Sequence, residues 1–273
     1  MFEFVSIGSG SSGNVGLLSI GAATILIDAG LSFKKIVAGL TARGKTLADI
    51  DAIFLTHAHG DHAKSIVRCG LETGKPVYMT RETKHILSRR EEYAKITQCA
   101  VHEFNKVMTL KNVAIRIFRI PHMGWHDNDD AGATVGFLFT APENACRFAY
   151  FTDLGTMPAH ILKEIHNCDY YFLEANHDIR WEKVSRRPAQ VIARNLSDYG
   201  HLSNEQAAAI LKQVIPTDTV VRKTKAVMLG HVSKDCNSHV LVEQTIRAAI
   251  AEDIHVAIAP ENALSSVLYL KLS

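Results

Sequence analysis

The 273-residue chain is 47% hydrophobic and 21% charged, with a formal net charge of +2. This is the balance of a soluble protein long enough to bury a substantial core, and it neither marks nor excludes a nucleic-acid partner, because a basic patch is a local property. Cysteines at 69, 99, 146, 168 and 236 form no CxxC pair and are odd in number, so a reducing, cytoplasmic setting is expected rather than a disulfide framework. The opening stretch MFEFVSIGSGSSGN lacks the basic and long apolar regions of a signal peptide. No apolar run reaches the roughly 20 residues that cross a bilayer, so no membrane partner is expected.

FEFVSI, VGLLSI and ATILIDA are short β-branched runs punctuated by glycine, predicted to be adjacent hairpin strands. Ser32 is predicted to cap a helix, FKKIVAGLTARG, ending at Gly44. DAIFLTH is a strand running into a histidine cluster, DHAKSIVRCGLETG a helix, PVYMT a strand and RETKHILSRREEYA a charged helix. VAIRIFRIPH alternates and stops at Pro121 and His122; ATVGFLFT, CRFAYFTDLG and DYYFLEANHD are further strands, with PAHILKEI a helix between the last two. RPAQVIARNLSDYG and NEQAAAILKQVI are predicted helices, AVMLGHV a strand, HVLVEQTIRAAIAED a helix and HVAIA a last strand. Strands and helices mix along the whole chain, as in an α/β fold. Asp28, His57, His122, Asp153, Glu174 and His231 all fall at strand ends, where such folds present their chemistry.

The stretch LTHAHGDH, residues 55–62, places His57, His59, Asp61 and His62 together. On an extended backbone His57 and His59 point to one side, so two imidazoles can grip one cation. Asp61 and His62 stand just beyond, at a helix start, ready for a second. Gathering these polar groups at a desolvated strand end without a cation is costly. Imidazole with carboxylate suits zinc, manganese or iron. The cluster cannot close two sites alone; His122, Asp153 and His231, each after an apolar strand, are the distant candidates. His85, His102, His160, His239 and His255 are expected to be solvated or packing residues.

HAHGDH, with Asp28 closing the strand ILIDAG, resembles the metallo-β-lactamase superfamily over nearly the whole chain. The resemblance implies one domain, 1–273, with a four-layer αβ/βα sandwich and a two-metal site at the sheet edge. It implies that His57, His59 and His122 hold one cation, that Asp61, His62 and His231 hold the second, that Asp153 bridges them, and that Asp28 orients the ligands. The segment PHMGWHDNDDAG offers both His122 and His126; strand length favours His122, which directly follows VAIRIFRIP.

Two cations close together activate water and stabilise charge on a phosphate or carbonyl oxygen, which implies a hydrolase. His59 occupies the position where the redox branch of the superfamily carries glutamate, which disfavours oxidoreduction. YGHLSNEQAAAILK resembles the histidine-bearing helix start of the phosphodiesterase branch, typified by tRNA 3′-processing endonucleases. By that resemblance His201 is the general acid and Glu174, in FLEANHD, its partner; imidazole chemistry near neutrality suits the role, and a neighbouring carboxylate favours the protonated ring. The catalytic set is then Asp61, His201 and Glu174. SIGSGSSGN, IDAGLS, TDLG, EANHD, GHLSNEQA and LGHVSKDCN occur in the order found in YycJ-type (WalJ-type) bacterial proteins, which implies an exonuclease acting on DNA from the 5′ end. A small or cyclic phosphodiester, and an acyl substrate such as a thioester or β-lactam, are the rival substrate classes.

The Gly8–Asn14 loop, with Ser9, Ser11, Ser12 and Asn14, is either a phosphate cradle of backbone N–H groups or a tight turn between strands. Lys183, Arg186, Arg187 and Arg194 either track a nucleic-acid backbone or form a solvated helix face. Asn176 and His177 are expected to shape the mouth of the site, with Asp178 beside them.

Overall fold

The computed structural model describes residues 2–122, 133–141, 146–261, 263–266 and 268–269. The chain opens with an antiparallel meander, β1 (Phe2–Gly8), β2 (Val15–Ile20) and β3 (Ala23–Ile27). Helix α1 (Phe33–Ala42) begins where Ser32 Oγ accepts a hydrogen bond from the Lys35 N–H. It ends just before Gly44, whose φ of 64° only glycine adopts easily. β4 (Ala52–Phe54) leads into α2 (Gly60–Ala63) and α3 (Ile66–Thr73). One continuous helix was expected here. Ser65 breaks it by donating its N–H to the Ala29 carbonyl and its hydroxyl to Leu31 O, which ties the helix start to the loop after β3.

β5 (Val77–Met79) and α4 (Arg81–Ser88) follow, then a 3₁₀ stretch at Glu91–Gln98. α4 stops short of its expected end as the Arg90 guanidinium turns to donate to Ala58 O in the histidine stretch. Next come β6 (Val101–Glu103), β7 (Val107–Leu110), β8 (Val113–Arg119), β9 (Val135–Ala141) and β10 (Cys146–Phe151). The second half continues through α5 (Ala159–Glu164), β11 (Tyr170–Glu174), α6 (Ile179–Val184), α7 (Ala189–Asn195) and α8 (Asn204–Val214). It closes with β12 (Ala226–Gly230), α9 (His239–Arg247), β13 (His255–Ile258) and β14 (Leu268–Tyr269). β6, β7, β14 and α6 were not expected from the residue pattern. They are short, and three of them are sheet edges or their neighbours, where half-exposed residues carry little periodicity.

The strands form two seven-stranded sheets, β14-β1-β2-β3-β4-β5-β6 and β13-β12-β11-β10-β9-β8-β7. Side chains alternate across a strand, and β10 shows the consequence. Phe148 and Tyr150 point into the core between the sheets, whereas Ala149 and Phe151 point into the core under the second sheet's helices. Between the sheets Phe2 stacks on Tyr170 at 4.1 Å and Tyr150 on Phe172 at 4.6 Å; each such buried ring stabilises the fold by about 1.5–3 kcal/mol. A second core joins Leu26 and Ile53 to Ile36, Leu40 and Ile66 of α1 and α3. A third joins Leu173 and Leu229 to Ile161, Leu211 and Val242 of α5, α8 and α9. The layers are therefore helix, sheet, sheet, helix, the four-layer αβ/βα sandwich that was expected. Because β3–β4 and β10–β11–β12 run parallel, their C-terminal ends open onto one edge of the sandwich.

Candidate metal centre

Three of the residues at that edge sit where side chains are rarely tolerated. Asp28 and His231, immediately after β3 and β12, and Asp153, two residues after β10, have φ of 62°, 53° and 53° respectively. A left-handed residue costs on the order of 1 kcal/mol or more and persists only where its surroundings over-determine it. Here each turn aims the side chain across the strand ends. Close approach adds to this at Gly30: a β-carbon there would run into the Asp61 carbonyl, which instead accepts the Asn14 N–H at 2.7 Å.

The donor atoms of His57, His59 and His122 lie within 4.8 Å of one another, as do those of Asp61, His62 and His231. Asp153 lies between the groups: its Oδ2 is 3.0 Å from His62 Nε2, and its Oδ1 is 3.5 Å from His231 Nε2 and 3.8 Å from His122 Nε2. The structure thus gathers all seven expected ligand residues. His126 lies outside the described residues.

The far side of each ring decides which nitrogen faces the centre. Thr56 Oγ1 donates to Asp28 at 3.0 Å and so accepts from His57 Nδ1 at 3.0 Å. His62 Nδ1 lies 2.8 Å from Asp28 Oδ2, His122 Nδ1 2.9 Å from the Gly200 carbonyl, and His231 Nδ1 2.8 Å from Glu174 Oε1. Four imidazoles therefore place Nδ1 against a buried acceptor and turn Nε2, the atom whose lone pair a cation would take, to the centre. His59 faces it by Nδ1, 2.9 Å from His57 Nε2 and 3.4 Å from His122 Nε2. Converging nitrogen lone pairs with the Asp61 and Asp153 carboxylates between them fit a divalent cation of the zinc, manganese or iron kind.

The electrostatics divide the same way. Burial above all drives His57 well below the ordinary imidazole range, His59 to about 4 and His122 to about 3. Burial also opposes charge on His62 and His231, yet Asp153 with Asp28 and Asp61 around the first, and Asp153 with Asp61 and Glu174 around the second, hold both rings well above it. The concentration of negative charge around these two rings is what a cation would neutralise.

Beside the centre, Glu174 is fully buried. Its Oε1 is 2.7 Å from His201 Nδ1 and 2.8 Å from His231 Nδ1, and its Oε2 accepts the Leu154 and Leu202 N–H groups at 3.1 Å each. Burial would raise its pKa, but the two imidazoles prevail and hold it at about 2. A carboxylate only accepts, so His201 Nδ1 carries the proton and Nε2 is left for another partner. Asp61, the most exposed carboxylate of the cluster with 25% of its side chain accessible, is held at about 2 despite burial, chiefly by His62 and His231.

The Gly8–Asn14 loop serves the centre from within. Ser9 Oγ accepts the His231 N–H at 2.8 Å and lies 3.3 Å from Asn14 Oδ1. Asn14 Nδ2 lies 3.0 Å from His62 Nε2 and 3.3 Å from Asp61 Oδ2. Both side chains are buried, whereas Ser11 and Ser12 are exposed. Asn176 donates to the His231 carbonyl at 2.8 Å, and His177 is buried with no partner for Nδ1 among the described residues. Ser9, Asn14 and Asn176 therefore contact the residues of the two donor groups, and His177, next to Asn176 in sequence, is buried. Arg187 is likewise engaged internally, with Glu182 at 3.0 Å and Ser233 at 3.1 Å. Thr56, the Gly200 carbonyl and Ser9 support the ligands in ways no spacing announces. His85, His102, His160, His239 and His255 are all exposed.

A family profile described as a beta-lactamase superfamily domain matches residues 23–222. The chain belongs to the metallo-β-lactamase superfamily. Within that superfamily it is 30% identical over 253 residues to the exodeoxyribonuclease WalJ of Streptococcus pneumoniae, covering 92% of this chain and 89% of that protein. It is 28% identical over 250 residues to the exodeoxyribonuclease YycJ of Bacillus anthracis, with the same coverage of 92% and 89%. The solved metallo-β-lactamase fold protein YhfI of Bacillus subtilis superposes with a TM-score of 0.70 at 15% identity, over 98% of this chain and all of that one, which confirms the superfamily's fold. No helix among the described residues is long and apolar enough to cross a membrane.

Proposed function

We propose that this chain is a two-metal phosphodiesterase that degrades DNA from strand ends, as an exonuclease of 5′ to 3′ polarity. The observation that carries this reading is the Glu174 carboxylate, which holds His201 at 2.7 Å and the ligand residue His231 at 2.8 Å. It couples a proton-bearing imidazole to the cation site, which phosphodiester cleavage uses and acyl hydrolysis does not need. The names of the two exodeoxyribonuclease relatives support DNA as the substrate.

His57, His59 and His122 would hold one cation, Asp61, His62 and His231 the other, with Asp153 shared. Zinc or manganese suits the donors, and iron fits them as well. Bound there, two cations supply Lewis-acid activation of water and neutralise charge gathering on the phosphoryl oxygens. Asp61, at the open side, orients the attacking water. With Nδ1–H fixed by Glu174, His201 in its imidazolium form gives the Nε2 proton to the leaving oxygen as the P–O bond breaks, an effect of about 10²–10⁴-fold. Asp28 and Glu174 fix ring orientation. The core shared by the two sheets supports one domain over 1–273. Five free cysteines, four of them buried, suit the cytoplasm.

The test is a nuclease assay with manganese or zinc on 5′- and 3′-labelled single- and double-stranded DNA and RNA, with His59→Ala beside wild type. DNA degradation by wild type, abolished in His59→Ala, with release of the 5′ label first, is expected. Cleavage of bis-p-nitrophenyl phosphate without any polymer cleavage would move the substrate to a small phosphodiester. Inactivity of metal-loaded protein on both would sink phosphodiester chemistry.

A further inference from the structure

The segment from 179 to 199 leaves the site and returns to it. It departs from β11 just after Glu174 and Asn176, runs through α6 and α7, and re-enters at Gly200 and His201. It is firmly seated. The Asp178 N–H donates to Cys236 O at 2.9 Å, Arg187 bonds Ser233, and the buried Glu182 carboxylate binds Arg187 at 3.0 Å and Asn195 Nδ2 at 2.8 Å. It also exposes large apolar groups: Trp181 is 46% accessible, Tyr199 50% and Val184 82%. Arg180, Lys183 and Arg186 are at least partly exposed among them. The segment holds five Lys/Arg against two Asp/Glu, a surplus larger than the +2 of the whole chain. One of those two acids, Glu182, is buried against Arg187, so setting that pair aside leaves the surplus of positive charge unchanged.

Exposed apolar groups rimmed by polar residues mark interaction surfaces when they form a patch. Aromatic faces interleaved with cations suit a strand of unpaired nucleotides, whose bases stack while its phosphates pair with Lys and Arg. Neither a neutral metabolite nor an acidic protein surface needs both features. We propose that the α6–α7 arm is the platform that grips an unpaired nucleic-acid strand and feeds its end to His201, with Trp181 and Tyr199 as stacking faces and Arg180, Lys183 and Arg186 as phosphate partners. This rests on the phosphodiesterase reading and adds to it the surface that selects a polymer over a small diester. The rigid anchoring through Glu182 and Arg187 pre-organises the platform.

The experiment compares Trp181→Ala, Trp181→Phe, Tyr199→Ala and Lys183→Ala/Arg186→Ala with wild type, all metal-loaded, on a labelled single-stranded oligonucleotide and on bis-p-nitrophenyl phosphate. The expected result is a KM for the oligonucleotide raised on the order of 10-fold by either aromatic-to-Ala change. Trp181→Phe should recover most of that loss, and rates on the small diester should be unchanged. The double cation variant should flatten the slope of log affinity against log salt by about 0.7 for each phosphate no longer neutralised. Wild-type oligonucleotide kinetics in all variants would overturn the platform and leave the nuclease reading standing. Wild type that cleaves the small diester but neither binds nor cuts the oligonucleotide would overturn both. A change of sedimentation coefficient in Trp181→Ala with unchanged oligonucleotide kinetics would make the patch a self-association face and overturn the proposal.

Discussion

Each half of the sandwich steadies its share of the centre with one fully buried carboxylate, and the two carboxylates behave oppositely. Asp28, after β3, takes one imidazole, His62, together with the Thr56 N–H and hydroxyl. Burial wins there and its pKa is raised above the ordinary 3.8. Glu174, at the end of β11, is as buried, yet His201 and His231 with two backbone N–H groups hold it at about 2. A second imidazole is what reverses the sign, because each added positive partner offsets a desolvation cost that is incurred once. In the proposed scheme the first half aims one ligand, and the second half joins a ligand to a proton carrier.

That contrast can be broken at several points. Glu174→Ala removes the support of His201 and His231 together and leaves two imidazoles without their acceptor. Phosphodiesterase activity should fall by about 10³-fold or more and stability by about 3–5 kcal/mol, read by steady-state kinetics and urea unfolding; a loss below 10-fold would remove Glu174 from the centre of the scheme. His201→Ala should cost about 10²-fold on an alkyl or nucleotide leaving group and far less on p-nitrophenolate, which departs without a proton. Equal losses on both leaving groups would deny His201 the role of acid.

Asp28→Asn should weaken metal affinity by about 10–100-fold in competition with a chromophoric chelator. It should keep the ratio of rates on the two leaving groups near that of wild type, the ratio that His201→Ala shifts in favour of p-nitrophenolate; a variant that shifts it likewise would show the two halves are not separable. The smallest effect is on stability against pH in the metal-free protein. Glu174 is depressed in the fold, so its contribution is fully present above its unfolded value near 4.5 and is lost as pH falls toward about 2. Asp28 is raised, so its buried charge costs stability at neutral pH and the cost is relieved as pH falls. Glu174→Gln should therefore destabilise more than Asp28→Asn at pH 7, with the gap narrowing below pH 4.5 in urea titrations. A gap that widens on acidification would reverse the assignment.

The two halves also differed in legibility. His57, His59, Asp61 and His62 lie in six consecutive residues, so local geometry alone brings them together, and the donor types name a cation before any fold is known. His122, Asp153, Glu174, His201 and His231 stand alone in sequence. They were found as strand-end residues and by resemblance, and their meeting depends on parallel strands whose ends share one edge. Short edge strands β6, β7 and β14 went unread for want of periodicity. Ser9 and Asn14 were legible as a turn but not as a clip on His231 and His62, since no spacing rule links residue 9 to residue 231.

Residue chemistry by itself determined the alternation of strands and helices, the cation-binding run and the absence of a disulfide framework, because these follow from periodicity, donor type and count. Only the tertiary structure decided which nitrogen of each imidazole faces the centre, that one glutamate serves two histidines, and that Asp28, Asp153 and His231 adopt left-handed turns. Those outcomes depend on buried acceptors such as Thr56 Oγ1 and the Gly200 carbonyl, contributed by distant parts of the chain that meet only when the two sheets pack.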